Sequence, residues 1–128
     1  MDAVLHVTNL QRNLIFTGDM KYILRGRING KFYPEVNVVY IVTDDQRIAG
    51  YVRIAKKEQI TYGEFRERFN RLRPFEACKK FGMLYIQAFR MIKRWKCEKF
   101  WLLSIGDAVQ YAPPKEKMNV FDKAMVVL

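Results

Sequence analysis

The chain has 128 residues, half of them apolar and 14% aromatic, which is about the size of one domain and too hydrophobic for a disordered segment. Lys and Arg number 23 against 13 Asp and Glu, a formal net charge of +10, and such a surplus selects polyanionic partners, nucleic acid first and an acidic protein second. With two cysteines outside any CxxC pair, one histidine and no long apolar run, the expectation is a cytoplasmic protein with no metal, no cofactor and no membrane contact.

In chain order, Val4–Val7 reads as a short strand, after which Thr8 or Asn9 caps a helix carrying Leu10, Leu14 and Ile15 on one side and stopped by Gly18. A strand over 20–28 follows, Asn29-Gly30 has hairpin-turn chemistry, and Pro34 interrupts before the next apolar run. Val36–Thr43 is rich in β-branched residues without clean alternation, the pattern of a strand covered on both faces. Asp44-Asp45-Gln46 is turn chemistry rather than a pair of catalytic carboxylates, because consecutive side chains in an extended chain point apart. Arg47–Ala55 is the return strand, with Gly50 marking a bulge or a close backbone approach.

Thr61-Tyr62-Gly63-Glu64 has capping-box spacing, and Tyr62, Phe65, Phe69 and Leu72 recur at helical intervals, so a helix is predicted over 62–72. Its other side carries Arg66, Arg68, Arg71 and Arg73. Pro74 opens a second helix, which Lys79-Lys80 and Gly82 end. Residues 83–95 alternate, with Met83, Tyr85, Phe89, Met91 and Trp95 opposite Arg90 and Arg94, and are predicted to form a long half-buried strand. Residues 97–104 form a helical turn or strand, Ala112–Lys115 a loop, and Met125–Leu128 a last apolar segment.

No nucleophile motif, phosphate-cradling glycine loop or metal-ligand spacing occurs, so no catalytic residue is assigned. The basic residues carry more information. Lys21, Arg25 and Arg27 share one face of the predicted strand at about 7 Å per two-residue step, a cationic ladder near the phosphate spacing of nucleic acid. Lys56-Lys57 and the helix arginines form a second cluster, and Lys93, Arg94, Lys96 and Lys99 beside Trp95 and Trp101 form a third. Guanidinium binds phosphate while rings stack on bases, so Tyr22, Tyr51 and Trp101 are candidate stacking residues and the remaining aromatics, at core spacing, are packing.

The order strand, helix, Gly, basic strand, hairpin, helical insert, long strand, Pro-Pro loop resembles the ASCH domains of the PUA-like superfamily. The family's Gly-x-Lys-x-x-Glu-x-Arg pattern falls on Gly18-Asp19-Met20-Lys21-Tyr22-Ile23-Leu24-Arg25, where Gly18 and Arg25 match and the Lys and Glu do not. The resemblance implies an α+β fold, a small PUA-like β-barrel of about five or six mostly antiparallel strands with two or three short helices, forming one domain over 1–128. It also implies a nucleic-acid-binding module, RNA in preference to DNA. The basic face would hold Lys21, Tyr22, Arg25, Arg27 and Arg53, continued by Lys93, Arg94, Lys96 and Trp101. Some small ASCH proteins are amidohydrolases acting on acetylated cytidine through the motif lysine, a threonine nucleophile and a glutamate. Here the lysine and nucleophile positions are Met20 and Ile23, which cannot take those roles. An amidohydrolase site rebuilt from Lys21, Tyr22 and Glu58 or Glu64 is the alternative, and a basic interaction or regulatory factor of a phage or mobile element is the second.

Overall fold

The computed structural model describes residues 2–26, 35–116 and 126–128. They form β1 (Asp2–His6), α1 (Asn9–Thr17), β2 (Tyr22–Arg25), β3 (Val38–Val42), β4 (Arg47–Thr61), α2 (Tyr62–Phe69), α3 (Pro74–Phe81), α4 (Tyr85–Arg94), β5 (Lys99–Glu116) and β6 (Val126–Val127). The strands make one sheet in the order β2-β5-β4-β3-β1-β6. β1 runs parallel to β3 and β6, and the other neighbours are antiparallel.

Local chemistry sets the element boundaries. Thr8 accepts from Gln11 N while Gln11 Oε1 accepts from Thr8 N, a capping box that starts α1, and Gly18 at φ 84° ends it in the left-handed conformation. Thr61 and Glu64 make the same reciprocal pair at the start of α2. Asp45 accepts from Thr43 Oγ1 and from Arg47 N, closing the β3–β4 turn, and the Thr43 hydroxyl above all holds the Asp45 carboxyl below its usual range. At Gly50, φ 154° and the carbonyl of Val109 leave no room for a Cβ, and the β3–β4 and β4–β5 registers both shift beside it. The expected bulge and the expected close approach are one feature.

Alternation along β2, β4 and β5 divides most of the core into two layers, and Val4, Val42 and Ile48 form a third, smaller cluster at the β1–β3 end. Ile23, Leu103, Trp101 and Val52 pack with Ile15 of α1 on one face. Leu24, Leu102, Phe100 and Ile60 pack on the other, against Phe65, Phe69, Phe81 and Ile92 of the three-helix insert between β4 and β5. The α+β class and the mostly antiparallel pairing are as expected. The sheet is open rather than closed into a barrel, with β2 and β6 at its two ends among the described residues. Helices cover both faces, so the layers bury the apolar surface without closure.

Four helices stand where two or three were expected, because residues 83–95 are not a strand. Their alternation coexists with a helical stripe, Tyr85, Ala88, Phe89 and Ile92, of which Ala88 and Ile92 are fully buried. Met, Gln, Ala, Arg and Lys favour helix at the remaining positions, and tertiary packing takes the helical stripe. The predicted loop at Ala112–Lys115 lies inside β5. Its register shows why it read as a loop: Gln110 pairs with Gly50 and Lys115 with Ile48, so residues 111–114 oppose Ala49 alone. β4 and β5 both extend well beyond their predicted lengths. The turn at Asn29-Gly30, Pro34 and the end of the predicted strand over 20–28 lie outside the described residues. Among the described residues no helix is long and apolar enough to cross a membrane, and no group of three His, Cys, Asp or Glu is placed to hold a metal.

Candidate nucleic-acid interface

Arg25 ends β2 on the α1 face of the sheet, directly across from Trp101. Its side chain is half-buried and its NH1 donates to Leu24 O at 2.6 Å. Among the described residues no carboxylate pairs with it. Desolvation pushes its pKa down, the mark of a cation taken out of water without an opposite charge. It opens into a cleft with a cavity of about 40 Å³, whose walls include His6, Gln11, Met20, Phe81 and Met83. Gln11 Nε2 donates to Gly82 O at 3.2 Å and ties α1 to the end of α3, closing one side of the cleft. A guanidinium in such a semi-enclosed place attracts an anion more strongly than one in open water.

The predicted ladder does not form as drawn. Lys21 precedes β2 and is exposed, its N–H donating to Lys80 O and its carbonyl accepting from Ile105 N, while Arg25 is folded into the cleft. Lys21 instead lines a separate open depression with Thr17 and Asp107. Arg27 lies outside the described residues. Tyr22 points to the opposite face, half-buried, packed against Phe69 at 5.4 Å and stacked on Phe81 at 5.4 Å, so its ring is engaged with the insert cluster. Trp101 is 7% exposed and belongs to the α1-face cluster, which removes it as a surface stacking residue. Tyr51 is half-buried between Tyr40 and Tyr111, with the exposed Arg53 guanidinium 5.8 Å from its ring. Lys93, Arg94 and Lys96 are exposed at the end of α4, where the ring of Trp95 packs against Gly26.

No family model matches the sequence, and no curated protein does either. Solved structures do. The ASCH protein of Zymomonas mobilis superposes with a TM-score of 0.63 at 17% identity, covering 94% of this chain and 77% of that one. Two of its mutant forms give TM-scores of 0.67 and 0.64 at 16% and 17% identity, covering 94% of this chain and 78% and 79% of theirs. The fold is ASCH-like. Within the ASCH-like fold the two matching motif residues have clear places: Gly18 is the left-handed cap of α1, and Arg25 is the cleft cation. Met20 and Ile23, at the two mismatched positions, are buried in the α1-face core. The carboxylates of the rebuilt-site alternative have other partners. Glu58 binds Arg68 and Lys56 at 3.1 Å each, and Glu64 caps α2.

One grouping was missed altogether. Arg66 of α2 and Lys93 of α4, assigned to separate clusters in the sequence, line one groove in the ASCH-like domain together with Arg90, which was assigned to neither. The signal that could have found it is the spacing of Ile86, Phe89, Arg90 and Lys93 at i, i+3, i+4 and i+7, a helical stripe hidden by reading 83–95 as a strand.

Proposed function

We propose that this ASCH-like domain is a non-catalytic nucleic-acid-binding module that takes RNA in preference to DNA. The observation that carries the reading is the Arg25 guanidinium, desolvated in a cleft without a carboxylate partner among the described residues. A buried cation is expensive unless something anionic or hydrogen-bonding meets it, and a phosphate or the acceptor edge of a base does both. The cavity of about 40 Å³ admits a group of that size and not a duplex, which favours unpaired nucleotides, the form in which RNA is read specifically. The net charge of +10 supplies the long-range attraction.

The test is fluorescence anisotropy of labelled single-stranded RNA, duplex RNA and duplex DNA, repeated from roughly 50 to 200 mM salt. Log affinity for the single strand should fall linearly with log salt by about 0.7 per phosphate contact, and Arg25→Gln should remove about one contact from that slope. A preference for single-stranded RNA of more than tenfold supports the reading. Salt-independent or absent binding would sink it, and turnover assays on N-acylated nucleosides and searches for an acidic protein partner would follow.

A further inference from the structure

The groove between α2 and α4 is built from two helical stripes that face each other. Tyr62, Arg66 and Asn70 recur every fourth residue on one side, and Ile86, Phe89, Arg90 and Lys93 form the other. Its volume is about 420 Å³, more than the Arg25 cavity. The floor is apolar: Phe89 meets Tyr62 edge to face at 5.5 Å, and Ile86 is 55% exposed beside them. The rim is cationic, with Arg66, Arg90 and Lys93 exposed and no carboxylate among the lining residues. Lys93 Nζ sits 5.5 Å from the Tyr62 ring, which anchors one rim charge over the floor. Glu64, the acidic residue at the start of α2, is held at the Thr61 cap.

An apolar floor beneath three like charges is unfavourable for a surface with no partner, and the two features suit different parts of one molecule. We propose that this groove binds a stretch of single-stranded nucleic acid, with Arg66, Arg90 and Lys93 on successive phosphates and a base against Ile86 and Phe89. This rests on the reading of the domain as a nucleic-acid-binding module and adds a second contact region, on helices that cover the sheet face opposite Arg25. An acidic protein surface would satisfy the rim but leave the floor and the Asn70 amide without a matching group; a base supplies an apolar face and a polar edge together.

The experiment uses the full chain and a fluorescein-labelled 12-nucleotide oligouridine. A triple variant, Arg66→Ala with Arg90→Ala and Lys93→Ala, should lower the log-log salt slope by about 2, since each single-strand phosphate contact contributes about 0.7. Ile86→Ala should weaken binding severalfold and leave the slope unchanged. In the wild-type chain, a 4-thiouridine oligomer should photocross-link within residues 62–70 or 85–93, a readout that does not depend on any variant folding. An unchanged slope in the triple variant, cross-links confined to other segments, or displacement of the oligomer by polyglutamate at equal charge concentration would each overturn the groove assignment. If Arg25→Gln still weakens binding in those cases, the module reading stands without the groove; if the wild-type chain binds no oligomer, both fall.

Discussion

The Tyr85 hydroxyl is buried with no hydrogen-bond partner among the described residues, and burial, with Tyr62 adding a smaller push, raises its pKa from 10 to about 12. The folded state favours the neutral phenol, so the stability tied to it is complete below pH 10 and is lost as pH rises towards 12. In a titration followed by absorbance at 295 nm, Tyr85 should be among the last phenols to ionise, and Tyr85→Phe should remove that late step. Because the variant also removes an unsatisfied group, it should leave the urea midpoint unchanged or raise it. Glu58 has the opposite sign. Burial pushes its carboxyl up, but the hydrogen bonds from Arg68 and Lys56 outweigh this and hold it down, so its contribution is present at neutral pH and disappears as pH falls below the usual glutamate value of 4.5. Gly50→Ala should cost about 1–3 kcal/mol in urea denaturation, from the positive φ together with the Val109 carbonyl. Arg25 was legible in the sequence as a cation at a motif position. Its withdrawal into a cleft was not, because burial depends on α1 and α3, which approach it from both sides in sequence.

Among the elements, α1, α2 and α3 were readable because their ends are written in adjacent residues: Thr8 with Gln11, Thr61 with Glu64, Pro74, and the glycines at 18 and 82. Removing one such device should have a modest effect, and Thr61→Ala should destabilise the chain by about 1 kcal/mol. α4 has no such start signal; among the described residues the one side-chain hydrogen bond at its first turn is Gln87 Oε1 accepting from Leu84 N. It is a helix because Ala88 and Ile92 are buried against the aromatic cluster of Phe65, Phe81 and Phe100. Ile92→Ala should therefore cost about 2–5 kcal/mol, well above the cap variant, and chemical denaturation of the two side by side checks the order. The Pro-Pro segment makes a related point. Turn-forming residues gave a loop, and pairing with β4 on either side turned it into a bulge within one long strand.

Both apolar layers rest on the same strands, β2, β4 and β5, so neither layer persists when those strands separate. The two tryptophans report one layer each: Trp101 lies in the α1-face cluster and Trp95 packs against the insert cluster, 5.8 Å from Phe100. Trp95→Phe and Trp101→Phe each leave a single tryptophan, excited selectively over the tyrosines near 295 nm, and each variant should unfold in one transition, with midpoints by tryptophan fluorescence and by far-UV circular dichroism coinciding. A fluorescence midpoint separated from the dichroism midpoint in either variant would show that the layers unfold independently. The same arrangement separates the cations. Arg25 faces α1, while Arg66, Arg90 and Lys93 ride on helices covering the opposite face, so these four cations occupy two regions of different shape.

Composition, caps, turns and the most apolar strand were set by residues within a few positions of one another, and these account for the α+β class, three helices, most strand positions and the basic charge balance. Strand order, the helical state of 85–94, the open sheet and the grouping of cations depend on contacts between segments far apart in the chain. Trp101 and Tyr22 illustrate the difference. Each has a sequence neighbourhood suited to an exposed stacking ring, and each is covered by elements whose approach no local pattern encodes, because burial is a property of the assembled layers.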